Sequence, residues 1–575
     1  MKTLIADIET NGLLPELETC HCLAVGSLDL DDIVVYADQP NYPPLAEGLA
    51  RLREADRVVF HNGCGFDYPA LRKLYGKDVL DRSKVFDTLL LSRLVEPANR
   101  SHALEKWGER LGFPKGDYSD WSQFTDEMAT YCKQDVAVTQ RVYHTLMQKI
   151  DEKWEAALRL EHDFAWVMSL QEQHGFRLDV EAVQELDAEL RQEMATIEQE
   201  LQKVFPPITI ERVSEKTGKP LKSKIEMFNP GSRKQIAERL KDMYNWVPKK
   251  FTPAGSPQID DLVLGDLDYP EARLLARYFR CQKQLSMISE GDSAWLRCVR
   301  DGYVHGRVNT IGTATSRCSH FAPNMAQVDK KDKRMRAVWL PDPGHKLVGC
   351  DGDALELRML AAYLHHFDGG KYTHSLLEGK KEDGTDVHSM TGKLVECGDR
   401  DQVKRLTYAY LYGAGDPKLT QILREAGAGV KTGKEARRRM NEGITGLGKL
   451  STLVRSRVKR GYIKGVDGRH VPVVGEHSAL NYLLQSAGAI LMKKAMQVFH
   501  YDLCVSRGFV KDDEPVHFHY CANVHDEVQL SCEPEHAETL GKLFAESIKI
   551  AGERLGLKCP TSGSYDIGSS WLETH

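Results

Sequence analysis

The sequence predicts a multidomain α/β protein, and three observations support this prediction. The chain of 575 residues is long enough for about four structural units. Apolar stretches with strand character end in acidic residues near the N-terminus, after position 345 and near the C-terminus. Stretches with helical periodicity separate them, so strands and helices are mixed along the chain.

The first strand is predicted at residues 2–6, and it runs into Asp7, Ile8 and Glu9. Because successive side chains of a strand alternate between its faces, Asp7 and Glu9 lie on the same side. Two carboxylates therefore face one site. Alone, an Asp-Ile-Glu tripeptide is weak support, because such tripeptides also occur by chance.

Two later stretches add polar residues of the same kind. Asp67 closes the stretch His61–Asp67, which follows the apolar strand Val58–Phe60. Tyr131 and Asp135 are four residues apart, so a phenol and a carboxylate share one helical face. Three such motifs in order indicate a common acidic site in the first part of the chain.

The stretch that follows predicts long helices. Residues 158–174 predict one helix, closed by Gly175. Apolar residues then recur at three- and four-residue steps from Val180 to Val204, and Pro206-Pro207 stops this second helix. A third stretch, residues 272–288, can return antiparallel to it. Any helical hairpin that packs on a neighbour would show the same pattern.

A second pair of acidic sites lies in the C-terminal half. The predicted buried strand 346–350 runs into Asp351, and helical character resumes at Ala354. Asp526 and Glu527 are adjacent acids between two strand-like stretches. Two carboxylates from two strand ends are what a pair of Mg²⁺ ions needs to catalyse a phosphoryl transfer. Taken singly, either Asp is also an ordinary helix cap or turn residue.

A helical face between these acids carries two cations and two phenols. Arg400, Lys404, Tyr408 and Tyr412 recur at i+4 spacing after a capping-box pattern that starts at position 399. This face matches a nucleoside triphosphate, with the phosphates beside the cations and the sugar and base against the rings. His388 precedes it and can add a donor to the phosphates. A solvated surface stripe more often scatters Lys and Glu.

These segments resemble motifs A, B and C of family A (DNA polymerase I-like) DNA polymerases. The motifs correspond to residues 351–358, 400–413 and 524–527. Supporting segments stand in order between Arg307 and Gln485. The stretches 408–416 and 484–489 are most similar to the replicative polymerases of short-tailed, T-odd type bacteriophages.

Residues 1–145 resemble the DEDD proofreading exonucleases of the Tyr type. Together the two resemblances imply a ribonuclease H-like exonuclease domain at 1–150, followed by a right-hand polymerase at 151–575. They place the thumb at about 160–295, the palm at about 296–390 and 459–575, and the fingers at about 391–458. The implied function is DNA-templated extension of a primer 3′ end with dNTPs, with 3′–5′ proofreading, in a replicative and viral setting.

The resemblance also implies a role for each site residue. Two metal ions in the exonuclease site are held by Asp7, Glu9, Asp67 and Asp135, and Tyr131 orients the attacking water. Two Mg²⁺ ions in the polymerase site, or Mn²⁺ as an alternative, are held by Asp351, Asp526 and the Gly352 carbonyl. Glu527 and Lys404 are implied catalytic groups of the polymerase site. Lys404, Arg400 and His388 are expected at the triphosphate, Tyr408 at the sugar, and Tyr412 and His525 at the substrate. Glu356 is expected at the ribose 2′ position, and Arg317 and Gln485 at the minor groove.

Two positions depart from the family pattern. Asp353 stands where motif A commonly has Ser, and it adds a third acid that is expected to perturb metal binding. Ser316 stands where Gly usually precedes Arg317.

Composition agrees with these interpretations. The net charge is −6, yet basic residues cluster at 330–336, 434–439 and 455–460. Any one cluster alone is better explained as a solvated helix face, but together they suit binding of a phosphate backbone. The 13 cysteines show no Cys-x-x-Cys pair and predict reduced, buried thiols. Acids interrupt the first apolar stretch, so a signal peptide is not expected, and no apolar run reaches membrane-spanning length. We therefore expect a cytoplasmic protein, located in the cytoplasm of the bacterial host if the chain is encoded by a phage. We also expect a monomer.

The expected partners are primer–template DNA and dNTPs, with a phage helicase–primase and single-strand binding protein as further candidates. Phage relatives can carry a large thumb insertion that recruits thioredoxin. The insert here, residues 211–226, is short, so thioredoxin is not expected as a partner. Nor is there room before Asp7 for a 5′ nuclease domain.

Two other functions fit parts of the pattern. A single-subunit RNA polymerase shares the palm and motif B, but Glu356 and the exonuclease-like stretch argue against it. A non-catalytic DNA-binding replication protein would keep the basic clusters but would not need six metal-type carboxylates. Extension with dNTPs against rNTPs tests the first, and Mg²⁺-dependent primer extension tests the second.

Overall fold

The computed structural model describes residues 2–29, 32–213 and 218–575. The N-terminal elements are β1 (Thr3–Thr10), β2 (Cys20–Gly26), β3 (Val34–Tyr36), α1 (Leu45–Arg53), β4 (Arg57–Phe60), α2 (Asp67–Tyr75), β5 (Val85–Asp87), α3 (Thr88–Val95), α4 (Leu104–Arg110) and α5 (Asp126–Met147). Their sheet has the order β3-β2-β1-β4-β5. Strands β1, β2 and β3 pair antiparallel, while β4 pairs parallel with β1 and β5.

Strand β1 lies at the centre of this sheet because both of its faces are apolar at the start. Leu4, Ala6 and Ile8 pack into the core on one face, and Ile5 packs into the core on the face that α5 covers. The alternation that buries Ile5 continues along the strand. It directs the side chains at positions 7 and 9 toward α5.

The middle of the chain is mainly helical. Its elements are α6 (Glu155–His174), β6 (Phe176–Leu178), α7 (Val180–Val204), β7 (Ile208–Val213), β8 (Pro220–Glu226), α8 (Arg233–Tyr244), α9 (Asp261–Gly265), α10 (Pro270–Leu285), α11 (Trp295–Cys298), β9 (Val299–Arg300), β10 (Tyr303–Val304), β11 (Arg307–Asn309), β12 (Ser319–Phe321), α12 (Lys333–Ala337) and β13 (Trp339–Leu340).

The predicted antiparallel return of the long helix is confirmed. Helices α7 and α10 pack against each other, with Arg277 ion-paired to Glu193 and the Tyr278 hydroxyl donating to Glu198 Oε1 at 3.0 Å. The predicted polar insert, residues 211–226, includes the end of β7 and all of β8, which pair antiparallel, and its residues 214–217 lie outside the described residues.

The C-terminal elements include the second large sheet. They are β14 (Lys346–Gly352), α13 (Leu355–Asp368), α14 (Lys371–Leu377), α15 (Val387–Val395), α16 (Arg400–Leu411), α17 (Asp416–Glu425), α18 (Gly433–Gly443), α19 (Leu447–Val458), β15 (Tyr462–Lys464), β16 (His470–Pro472), α20 (Ala479–Gln497), β17 (Val510–Lys511), β18 (Glu514–Pro515), β19 (Phe518–Val524), β20 (Glu527–Cys532), α21 (Ala537–Arg554) and β21 (Gly563–Gly568). The sheet has the antiparallel order β19-β20-β14-β21. Helix α21 packs on β14 and β21, and α6 packs on β19.

Contacts divide the described chain into two compact units. The first contains the described residues up to Phe176, His305–Val328 and Leu340–His575, and the second contains Arg177–Val304 and Asp329–Trp339. Helix α6 lies in the first unit because Phe164, Val167 and Met168 pack in the core of the C-terminal sheet. A thumb domain that starts at about residue 160 would therefore include most of α6, although this helix packs in the core of the C-terminal sheet. The domain boundaries remain predictions.

The predicted state of the cysteines agrees with the structure, in which they are free and mostly buried. Among the helices of the described ranges, none combines the length and the apolar character that a membrane crossing requires.

Candidate active sites

The first candidate site lies where β14 and β20 meet. Asp351 on β14 pairs in register with Glu527 on β20, and the Gly352 N–H donates to the Asp526 carbonyl at 3.2 Å. A Cβ at position 352 would lie only 3.2 Å from Met492 Sδ, so the glycine leaves room for the Met492 side chain. A left-handed backbone at His525, with φ of 61°, turns the chain into Asp526. The structure thus brings the two predicted aspartates to one end of the sheet.

Burial raises the pKa of Asp526, and the negative charge of Glu356 adds to the rise. Burial also lowers the pKa of His525, and the nearby Arg317 lowers it further. Both shifts show that this pocket disfavours the charged forms of Asp526 and His525. A divalent cation would offset the cost of an ionised Asp526, so these residues fit a metal site.

Two neighbouring acids, Glu527 and Asp353, are bound by other side chains. Glu527 accepts hydrogen bonds from the Trp571 indole and from Gln529 Nε2, the latter at 2.9 Å. Asp353 accepts from the hydroxyls of Ser562 and Ser564 at 2.6 and 3.0 Å. These serines hold the Asp353 carboxylate, and its effect on metal binding stays a prediction.

Helix α16 carries the predicted nucleotide-binding face. Arg400 Nη2 donates to Asp386 Oδ1 at 3.2 Å, and Asp386 also caps α15, on which His388 lies. The rings of His388 and Tyr408 are 6.5 Å apart between centroids. Burial lowers the pKa of His388, and the positive charges of Arg400 and Lys404 lower it further. Lys404 is exposed on the same helix.

Glu356 connects the remaining predicted substrate residues. The Tyr412 hydroxyl donates to Glu356 Oε1 at 2.8 Å, and Arg317 Nη2 donates to the same oxygen at 3.1 Å. Tyr412 lies 6.1 Å from Tyr408 between ring centroids. Gln485 on α20 accepts from the Thr315 hydroxyl at 3.5 Å, two residues before Arg317. The predicted sugar and minor-groove residues are thus joined through side-chain contacts.

Sequence reasoning missed a buried charge network close to this site. Arg469 is fully buried and donates to Asp467, with Nη2 at 2.6 Å from Oδ2, and it also contacts Glu161. Lys493 Nζ donates to both oxygens of Glu161 at 2.8 and 2.9 Å. Position 161 is 308 residues from 469, so no local pattern could reveal this pairing. The network links α6, the turn before β16 and α20.

The three predicted basic clusters differ in their surroundings. In the first, Arg334 is paired with Asp332 and Glu189. In the second, Arg438 is paired with Glu435 and Glu442. The third, residues 455–460, is exposed apart from the half-buried position 458. Of the three, it presents its cations to solvent most openly.

The second candidate site lies on β1 and α5. Ligand atoms of Asp7, Glu9 and Cys132 lie within 4.8 Å of one another. Asp67 is the first residue of α2, and Asp135 lies on α5, four residues after Tyr131. Both Asp67 and Asp135 are buried.

Burial raises the pKa of these carboxyls. The pKa of Glu9 rises to about 8, with the charge of Asp135 as the second cause. The pKa of Asp67 rises to about 7 and that of Asp135 to about 6, both mainly because of burial. The pKa of Asp7 is raised well above its ordinary value by burial and by Glu9. Crowded acids of this kind fit divalent cations, which relieve the repulsion.

Lys115 is a second residue that sequence reasoning missed. Its Nζ donates to Asp135 Oδ2 at 2.5 Å and lies 4.7 Å from the centre of the Tyr131 ring. It therefore holds the phenol and the carboxylate that the i,i+4 spacing had already paired. Lys115 lies in an irregular stretch between α4 and α5, so no periodicity indicates its role.

A family model described as DNA polymerase family A matches residues 180–573. The chain belongs to this family. A model described as the RNase_H superfamily matches residues 4–147, so the family A polymerase also has an RNase H-like N-terminal domain.

Relatives of known activity match over the full length. The chain is 32% identical to a DNA-directed DNA polymerase of Enterobacteria phage T3 and 31% identical to one of Escherichia phage T7, with all of both chains covered in each case. Among solved structures, the POL domain of Pol1 from M. smegmatis, in complex with DNA primer-template and dNTP, matches with a TM-score of 0.77 at 19% identity. That match covers 100% of this chain and 96% of the other, and it shows the shared fold.

These comparisons confirm the predicted fold class and the predicted DNA-directed DNA polymerase function of a phage type. The RNase H-like domain fits the predicted exonuclease, and both classes of domain generally use divalent metals. The RNA polymerase and the non-catalytic alternatives find no support.

Proposed function

We propose that this family A polymerase adds dNTPs to a primer 3′ end at the β14–β20 site and removes mispaired nucleotides at the β1–α5 site. The hydrogen bond between the Gly352 N–H and the Asp526 carbonyl supports the first assignment, because it joins the backbone beside Asp351 to the backbone of Asp526. The four carboxyls around β1 support the second. The partners implied are primer–template DNA and dNTPs.

In the polymerase site, Asp351, Asp526 and the Gly352 carbonyl would hold two Mg²⁺ ions, or Mn²⁺ as an alternative. Such a pair stabilises the attacking and leaving oxygens of a phosphoryl transfer. Glu527 would support this site from β20, where Trp571 and Gln529 fix its carboxylate.

The α16 face would receive the triphosphate. Lys404 is exposed and would approach the phosphates directly, whereas Asp386 holds Arg400 in place beside His388. The Tyr408 ring would pack on the sugar, and Tyr412 would lie beside the nascent base pair.

Residues around motif A would select the substrate. Glu356 would exclude the ribose 2′-hydroxyl, and His525 would contact the primer end. Arg317 and Gln485 would donate to minor-groove acceptors that every correct base pair presents. Such contacts test the shape of the pair without reading its sequence.

In the exonuclease site, Asp7, Glu9, Asp67 and Asp135 would hold two divalent ions. Tyr131 would orient the attacking water. Lys115 contacts both Asp135 and Tyr131 and would keep them in register.

The two-site assignment predicts separable activities. Asp351→Ala or Asp526→Ala should abolish primer extension and leave degradation of single strands. The double variant Asp7→Ala, Glu9→Ala should do the reverse. Extension and degradation are measured on the same labelled primer, with folding checked by circular dichroism. Loss of both activities in a folded single variant would contradict the assignment.

We infer further that the enzyme acts as a monomer in the cytoplasm of a bacterial host, alongside a phage helicase–primase and single-strand binding protein. Thioredoxin is not proposed as a partner, because the insert between α7 and α8 is short.

A further inference from the structure

A group of histidines surrounds one aspartate at the end of the β19-β20-β14-β21 sheet that is opposite the polymerase site. Asp342 and His345 precede β14, which starts at Lys346. His519 lies early in β19, and His174 is the last residue of α6. Asp351 lies six residues beyond His345, so the strand rise separates the group from the catalytic end by roughly 20 Å. The proposed function uses none of these residues.

The polar atoms of this group converge. His174 Nε2 lies 3.2 Å from Asp342 Oδ2, and His345 Nδ1 lies 3.6 Å from the same oxygen. The rings of His174 and His519 are parallel within 6°, with centroids 4.0 Å apart. One ligand atom from each of His174, Asp342 and His519 lies within 4.8 Å of the other two.

These distances suit a small tetrahedral cation. Zinc–ligand bonds of about 2.0–2.1 Å place neighbouring ligand atoms about 3.3 Å apart. The distances from Asp342 Oδ2 to His174 and His345 bracket this value. The His519 ring is stacked on the His174 ring, so it must tilt out of this stack before both imidazoles point at one ion. Ser531 on β20 donates its hydroxyl to this same oxygen, Asp342 Oδ2, at 2.9 Å and fixes the carboxylate, as hydrogen-bond donors around metal ligands do.

The donor types narrow the class of ion. Mg²⁺ and Ca²⁺ prefer oxygen ligands, whereas several imidazoles with one carboxylate are typical of Zn²⁺ and related transition metals. We propose that His174, Asp342 and His519, with His345 as the fourth donor, bind one divalent transition-metal ion, with Zn²⁺ as the best match. The ion would tie the end of α6 to the strands on which it packs.

A second group nearby provides the main competitor. His517 Nδ1 lies 3.2 Å from Glu533 Oε1, and His536 Nε2 lies 3.6 Å from Glu533 Oε2. This second group offers two imidazoles and one carboxylate, Glu533, which is more exposed than Asp342. We assign the ion to the Asp342 group because a third imidazole and a serine donor converge there.

The test uses the full chain after chelator treatment and dialysis. Co²⁺ is titrated in excess Mg²⁺, which occupies the carboxylate sites, and the visible absorption of tetrahedral Co²⁺ reports binding to imidazoles. Zn²⁺ then displaces Co²⁺ in competition. Variants are His174→Ala, His519→Ala and His519→Gln, with His536→Ala in the second group and His477→Ala as a control at an exposed histidine.

We expect one equivalent of Co²⁺ in the wild type and in His477→Ala. Each variant of the Asp342 group should bind at least about tenfold more weakly, as the loss of a ligand costs no less than the loss of its outer partner. His519→Gln keeps a polar side chain in case the Ala variant unfolds, and circular dichroism checks both. Equal binding in wild type and variants, or a loss that follows His536→Ala instead, would overturn the proposal.

Discussion

Replacing Glu356 should relax the exclusion of ribonucleotides. Its carboxylate is held by two donors, the Tyr412 hydroxyl at 2.8 Å and Arg317 Nη2 at 3.1 Å, both on the same oxygen. We expect a ribose 2′-hydroxyl that enters beside this carboxylate to displace one of these donors. Glu356→Ala removes that obstacle and leaves room for the hydroxyl.

The size of the effect follows from the bond that is displaced. A hydrogen bond to a charged group contributes about 1.5–3 kcal/mol, which corresponds to roughly 10- to 150-fold in relative efficiency. Glu356→Ala should therefore lower the dNTP-to-rNTP ratio of kcat/KM by this factor. Tyr412→Phe should lower it less, because Arg317 still holds the carboxylate.

The assay is single-nucleotide extension with each triphosphate. Tyr410→Phe is the matched control, since its hydroxyl donates to Asn441 Oδ1 at 2.8 Å and not to Glu356. A ratio that stays the same in Glu356→Ala would refute the placement of Glu356 under the sugar. An equal fall in the Tyr410→Phe control would show that the ratio responds to substitutions that do not touch Glu356.

Four further predictions follow from the two sites. Tyr408→Phe should discriminate against dideoxynucleotides by roughly five- to 150-fold, because the lost hydroxyl contributes about 1–3 kcal/mol to binding of an analogue without its own 3′-hydroxyl. Tyr410→Phe should leave the dNTP-to-ddNTP ratio unchanged. Without metal, protonated Glu9 stabilises the fold below the ordinary pKa of a glutamate, and this stabilisation is lost as pH rises through the raised pKa of about 8. Glu9→Gln should therefore raise Tm in chelator at about pH 9 and have no effect at low pH. Lys115 lowers the pKa of Asp135, so Lys115→Met should move the acid limb of the degradation pH profile upward, and a profile that does not move would contradict its role. Thioredoxin should not lengthen products per binding event in a trap assay, and a clear increase would show that the short insert still recruits it.

Local patterns predicted the parts of both sites that lie on one element. Strand alternation placed Asp7 and Glu9 together, and i+4 spacing placed Arg400 and Tyr408 on one face. These rules depend only on the geometry of a strand or a helix, so they need no knowledge of the fold. The acids at both strand ends also came from local sequence.

Contacts between distant segments could not be predicted in this way. Lys115 reaches Asp135 from an irregular stretch, and Glu161 meets Arg469 across 308 residues. The side chain of Asp353 turns to two serines more than 200 positions away. Each pairing depends on how the sheets assemble, which the order of residues along one element does not contain.

Helix α6 limits how the two activities can be divided. Phe164, Val167 and Met168 pack in the core of the polymerase sheet, whereas Ala165 and Trp166 pack in the exonuclease core. Trp166 also donates its indole N–H to the Asp513 carbonyl at 2.9 Å. A fragment that starts at α6 would expose the second face of this helix to water, and the transfer of that apolar surface is unfavourable. Point substitutions can therefore remove one activity and keep the other, whereas removal of a whole domain would expose apolar core residues of the remaining domain to water.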